Sequence, residues 1–151
     1  MGVDARLVVY APDEATAETA GAAAFKRIAE LDTIMSDYRK DSELNRLCAQ
    51  AGGPPVVVSP DLFKVFVRAR DVSRATRGGF DITAAPVIQL WRAARRTAKL
   101  PASAEIEAAR ALVGYQKMTL DPVAHRVRLA QPGMKLDLGG IAKGYACDEA
   151  Q

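Results

Sequence analysis

Residues 117–145 read KMTLDPVAHRVRLAQPGMKLDLGGIAKGY, and the order of patterns within them decides the fold class. Lys117 to Leu120 and Arg126 to Leu129 flank Asp121-Pro122, a turn-forming pair, so the stretch opens as a β-hairpin. Lys135 to Leu138 reads as a further short strand, broken by Gly139-Gly140, and a helix starts there. Strand patterns and helical patterns thus share one short region. The expected class is α+β, with helices packed on a mixed β-sheet.

Working outward toward the amino terminus, helical periods dominate. Pro101 and Ser103 introduce a helix that ends by Gly114, and another spans Val87 to about Lys99 with Leu90 and Trp91 inward. Ser59-Pro60-Asp61 opens the clearest helix: a capping hydroxyl, a proline where its missing N–H costs nothing, and an acid near the positive end. Leu62, Phe63, Phe66, Val67 and Ala69 supply its inner side, and Gly78-Gly79 stops it. Asp41 and Ser42 can cap a short helix through Leu47. A longer helix runs to about Met35, where Phe25, Ile28, Leu31 and Met35 recur at helical spacing and form a core face. Val3 to Tyr10 alternates like a strand and meets Ala11-Pro12-Asp13, which ends a strand and can cap that helix. Toward the carboxyl end, Ile141 to Gln151 looks helical and carries no stop signal, which leads to the expectation of an interrupted domain.

The 151 residues are 49% hydrophobic and 26% charged, a globular composition with apolar side chains enough for one core. The formal charge of +3 comes from 21 basic and 18 acidic residues that are interspersed, apart from Arg92, Arg95, Arg96 and Lys99. A solvated helix face explains that cluster. At 6% aromatic residues, with none interleaved, the cluster lacks the stacking surface that nucleic-acid binding would need. Cys48 and Cys147 form no CxxC pair and are expected to be reduced and structural, and His125 has no imidazole, serine or cysteine partner in sequence, so it reads as a surface residue. No apolar run approaches the roughly 20 residues of a membrane span, and the first residues lack the order of a secretory signal.

Three short segments join glycine to ionisable or aromatic residues at the borders of regular elements. In Thr76-Arg77-Gly78-Gly79-Phe80-Asp81-Ile82-Thr83 the glycines free the backbone to approach a ligand, or simply stop a helix ahead of an Asx-type turn. In Asp137-Leu138-Gly139-Gly140-Ile141-Ala142-Lys143-Gly144-Tyr145 a glycine pair, a helix start and Lys143 together favour a phosphate, although the glycines also have a packing explanation. The spacing is neither a Walker loop nor GxGxxG. In Met35-Ser36-Asp37-Tyr38, ahead of Asp41-Ser42-Glu43-Leu44-Asn45, Tyr38 either lies flat against a planar ligand or is a half-buried core aromatic.

In this order, Ser-x-Tyr with Asp-Ser-Glu-Leu-Asn, Thr-x-Gly-x-Phe-Asp-x-Thr, and Asp-Leu-Gly-Gly-Ile-Ala-Lys-Gly-Tyr-Ala-x-Asp resemble successive signatures of the FAD:protein FMN transferase family, the ApbE family. Met1-Gly2 before a strand resembles that family's first mature strand. The likeness runs through nearly the whole chain and corresponds to the amino-terminal part of a single family domain.

The resemblance implies an activity. Family members cleave the pyrophosphate of FAD and join FMN to a threonine hydroxyl of a target flavoprotein, with magnesium required and AMP released; some relatives hydrolyse FAD instead. By position it places Met1, Tyr38, Gly79, Phe80, Asp81, Asp137 and Lys143 on FAD and gives the Gly140 carbonyl to the metal. It also implies a later His-x-x-Asp-Pro-x-Thr-Gly stretch with the general base, and acidic and threonine metal ligands beyond it. These have no counterpart in the 151 residues, so transfer by this chain alone is expected to be slow or absent. Relatives are often exported and lipid-anchored to the bacterial inner membrane. The competing expectation is a non-catalytic flavin-binding or partner-binding module. An incomplete sheet would expose an edge and favour self-association.

Overall fold

A computed structural model describes residues 4–151, in which six α-helices pack on a small antiparallel sheet. Helix α1 spans Glu14–Met35 and is started by Asp13, whose carboxylate accepts from Thr16 N at 2.8 Å. Helix α2 (Glu43–Cys48) is capped by Ser42, and α3 (Pro60–Ala75) by Ser59 with Pro60 at its first position. Helices α4 (Ala85–Thr97), α5 (Ser103–Ala111) and α6 (Ala142–Glu149) follow. Each of the first three starts where a side-chain oxygen can take an orphan backbone N–H.

Strands β1 (Val56–Val57), β2 (Met118–Asp121) and β3 (Arg126–Leu129) lie in the order β1-β3-β2. The hairpin pairs Met118 with Leu129 and Asp121 with Arg126, and Val127 sits between Val56 and Leu120. The α+β class holds, and the pairings among the described residues are all antiparallel. Leu31 and Met35 of α1, Leu44 and Leu47 of α2 and Leu62 and Phe66 of α3 converge on Val127 and Leu129 to make one core.

Two expected strands did not form. Residues 4–10 are in no strand, and Val8 and Tyr10 are exposed, because no neighbouring backbone offers them a ladder. Residues 135–138 show the alternation of a strand, with Met134, Leu136 and Leu138 buried, yet the stretch is joined to the fold by Asp137 N donating to Ile82 O at 2.8 Å rather than by a ladder. Inward faces also shift. Phe25 is 47% exposed and Trp91 43%, while α1 turns Ala24, Leu31 and Met35 to the core. His125 is half-buried at the hairpin turn, with φ 47°, and stacks on Phe63 at 4.8 Å between ring centroids. No helix among the described residues is long and apolar enough to cross a membrane.

Candidate functional site

The loop between α1 and α2 carries Tyr38, and Asn45 holds that loop in shape. Its Nδ2 donates to the carbonyls of Asp37 at 3.1 Å and Arg39 at 2.7 Å, while Ser42 caps α2 beneath it. Glu43 Oε1 accepts from Ser59 N at 2.6 Å, and Leu44 is buried. The Asp-Ser-Glu-Leu-Asn segment therefore fixes a short loop that presents an aromatic ring. Tyr38 is 65% exposed, so the reading as a core aromatic fails.

The second segment turns sharply out of α3. Gly78, at φ 85°, donates to Ser73 O at 2.8 Å, and Thr76 Oγ1 accepts from Phe80 N at 3.0 Å. Both oxygens of Asp81 are engaged. One accepts from Thr83 N at 2.8 Å and from the Thr83 hydroxyl at 2.7 Å, the other from Tyr115 N at 2.8 Å. Thr83 Oγ1 in turn accepts from Gly114 N at 2.7 Å. The Asp81 side chain thus braces the segment from within, and the backbone is tied down as well, with Gly79 N donating to Thr76 O at 3.0 Å and Asp81 O accepting from Ala84 N at 3.2 Å.

The third segment meets the other two. An added Cβ at Gly140 would stand 3.0 Å from Phe80 Cε2, so the phenyl ring rests on a position where only hydrogen fits comfortably. Asp137 Oδ1 accepts from Gly139 N at 2.8 Å, an Asx turn that sets the start of α6, and its Oδ2 accepts from Arg92 at 2.7 Å. Arg92 also donates to Asp37 and lies over the Tyr38 ring, 5.0 Å from its centroid. Chiefly through Asp37, these contacts raise the Arg92 pKa above its ordinary value.

Arg92 is the residue that sequence reading missed, since its neighbours in sequence make it look like part of a solvated basic face. Arg95, Arg96 and Lys99 are indeed exposed, whereas Arg92 is half-buried between two carboxylates. Its position carries a signal: it follows buried Ala85 by seven residues, two turns along the same face of α4. Three residues earlier Gln89 accepts from Lys135 at 2.9 Å, so α4 runs beside 135–137 and pairs helical spacing with alternate extended residues.

Lys143 stands apart from this constellation. It lines a separate groove of about 450 Å³ with residues 4–7, Phe25, Ile28 and Cys147. Met1 lies outside the described residues. Cys147 is exposed there rather than structural, and burial pushes the Cys48 thiol up to about 11, which keeps it protonated at neutral pH. The Gly140 carbonyl is a single oxygen, and no group of three or more His, Cys, Asp or Glu among the described residues is placed to hold a metal.

Comparison with known proteins agrees with the motifs. A family model described as the ApbE family matches residues 1–151. The FAD:protein FMN transferase of Klebsiella pneumoniae (strain 342) is 34% identical over 151 residues, all of this chain and 46% of the relative. The FAD:protein FMN transferase of Haemophilus influenzae is 34% identical over 125 residues, 80% of this chain and 36% of the relative. The chain spans less than half the length of these curated relatives. Among solved structures, the flavin transferase ApbE from Vibrio cholerae superposes with a TM-score of 0.85 at 29% identity, covering 93% of this chain and 46% of that one. The apo form of Pseudomonas stutzeri flavinyl transferase ApbE gives 0.80 at 29% identity, covering 88% and 42%.

Proposed function

Because this chain belongs to the ApbE family, we propose that it forms the flavin-binding portion of an FAD:protein FMN transferase. In that reaction a threonine oxygen of a target flavoprotein forms a phosphoester with the FMN phosphorus, the pyrophosphate bond of FAD breaks, and AMP departs. A divalent metal, magnesium, would neutralise charge on the pyrophosphate when bound. The Gly140 carbonyl is assigned to it as one oxygen ligand. The general base and the carboxylate ligands are not supplied by the described residues, so this chain alone is expected to bind flavin and to transfer it slowly or not at all.

The observation that carries this reading is the convergence of Tyr38, Asp37 and Asp137 about Arg92, with Phe80 seated on Gly140 alongside. Tyr38 supplies an exposed aromatic face for the isoalloxazine. The backbone of Gly79 and Asp81 and the edge of Phe80 line the ligand's path, and Asp137, whose two oxygens already accept from Gly139 N and Arg92, offers its remaining lone pairs to the ligand's hydroxyl or ring N–H groups. Lys143, in the groove beyond, is assigned to the far phosphate or the adenylate, and Met1 to the same ligand.

The test is a titration of FAD into the purified chain, with and without magnesium, followed by flavin fluorescence. Saturable binding, weakened about tenfold by Asp137→Ala, is the expected outcome, the size of one lost charge-assisted hydrogen bond. A folded chain that leaves flavin fluorescence unchanged at every concentration would remove the flavin reading. Product analysis by phosphorus NMR separates transfer from hydrolysis, since only hydrolysis releases free FMN.

A further inference from the structure

Arg92 is tied to more of the candidate site than any residue assigned to flavin above. Its two terminal nitrogens reach two different carboxylates, Asp37 in the α1–α2 loop and Asp137 just ahead of α6. Its guanidinium covers one face of Tyr38 at 5.0 Å, and the ring is nevertheless 65% exposed. With a cation over one face and 65% of the residue exposed, the ring retains surface for a planar ligand. The carboxylates themselves are well covered, with Asp37 13% and Asp137 9% exposed at the side chain, so the guanidinium is held from below and does not sweep freely.

We propose that Arg92 is a positioning residue of the flavin site: it fixes the Tyr38 ring for stacking and screens Asp37 and Asp137 from the phosphates of the ligand. The proposal rests on the flavin reading. Two effects of opposite reach follow from one side chain. Ring fixation acts on any flavin, charged or not, because stacking requires only the ring plane. Charge screening acts on phosphorylated flavins alone. With Arg92 the three groups sum to one negative charge and without it to two, while the pyrophosphate of FAD, which riboflavin lacks, is itself anionic and feels that charge through space. Lysine would restore the charge but not the planar fork that spans two carboxylates and stacks on a ring.

The two effects separate when affinity for uncharged riboflavin is measured beside affinity for FAD, in wild type, Arg92→Ala and Arg92→Lys, with circular dichroism confirming the fold of each. Arg92→Ala is expected to weaken riboflavin roughly fivefold, and FAD by a further several-fold that shrinks as salt is raised. Arg92→Lys should recover the FAD to riboflavin ratio while leaving riboflavin binding weak. A general loosening of the site would instead depress both ligands equally at all salt concentrations, which overturns the screening role. Tighter binding by Arg92→Ala would mean that the guanidinium obstructs the ring, and it overturns the proposal as a whole. If wild type binds both flavins and Arg92→Ala binds them unchanged, the proposal fails and the flavin reading stands. If folded wild type binds neither flavin, the flavin reading fails and takes this proposal with it.

Discussion

A methyl group at Gly140 would meet Phe80 Cε2 at 3.0 Å, and one at Gly52 would meet the ring of Pro132 at 2.6 Å and its backbone nitrogen at 2.7 Å. The two contacts look alike and differ in what can yield. Phe80 is half-buried, and its ring can swing by a few tenths of an ångström, whereas the Pro132 ring is fixed to its own backbone. Gly52 also sits at φ 86°, donates to Leu129 O at 2.9 Å, and so anchors the loop after α2 to the sheet. Gly52→Ala should therefore cost about 3 kcal/mol, summing left-handed strain and overpacking, and Gly140→Ala about 1 kcal/mol. Urea unfolding of the two variants checks the order. Function should invert it: Gly140→Ala displaces Phe80 from its seat on Gly140 and weakens flavin binding, while Gly52→Ala packs against Pro132 instead and, once folded, should bind as wild type does. Equal stability losses would mean that Pro132 and its loop relax freely.

At the scale of elements, one ion network staples α1, α3 and α6. Arg27 on α1 reaches both oxygens of Asp61 in the first turn of α3, at 3.0 and 2.7 Å, and Glu149 at the end of α6 at 2.5 Å. Tyr145 of α6 donates to Asp61 Oδ1 at 2.6 Å. Arg27 holds the Asp61 and Glu149 carboxyls below their ordinary range, while burial, then the hydrogen bond to Asp61, raises the Tyr145 hydroxyl. Depressed carboxyls stabilise the fold above their unfolded values, about 4, and that stability is lost as pH falls through the folded values. A raised phenol works in the other direction: its contribution is complete below the unfolded value near 10 and declines as pH rises beyond it. Stability should form a plateau between roughly pH 5 and 9 with a shoulder at each end. Tyr145→Phe should flatten the alkaline shoulder at a cost of about 1 kcal/mol on the plateau, and Arg27→Ala the acid one; unchanged shoulders in denaturation curves across pH would remove the network from the account. The network also marks where sequence reading stopped. Helices α1, α2 and α3, with Asp13, Ser42 and Ser59 as caps, and the hairpin about Asp121-Pro122 were legible because their signals lie within a few residues. Residues 4–10 and 135–138 carry a strand's alternation, but a strand exists only if a partner lies alongside, and alternation does not supply one. Tyr38 and Asp137 were legible as motif members, whereas Arg92 was not, since its role arises from α4 lying against 135–137.

For the whole molecule, the distribution of apolar surface matters more than net charge. Acidic and basic residues are interspersed and sum to only +3, so long-range repulsion between copies is weak. Strands β1 and β2 each pair only with β3, which leaves both outer sides of the sheet without a partner among the described residues, and Val57 on β1 is 64% exposed. Phe25 stands 47% exposed at the groove shared by α1, α6 and residues 4–7. Unpaired backbone and exposed apolar side chains both lower the free energy of association, by different routes. The edge adds hydrogen bonds and is blunted by a charged side chain; the groove adds only apolar contact. Sedimentation velocity over a wide concentration range should therefore find reversible self-association, weakened roughly tenfold by Val57→Lys if the strand edge carries it, the loss of about 1.4 kcal/mol. Phe25→Ser should have the smaller effect, because β1 offers directional pairing whereas the groove, already lined by residues 4–7, offers only apolar contact. The reverse ranking would move the contact to the groove, and a wild-type chain that stays monomeric throughout would mean that two residues of β1 are too short an edge to template a partner.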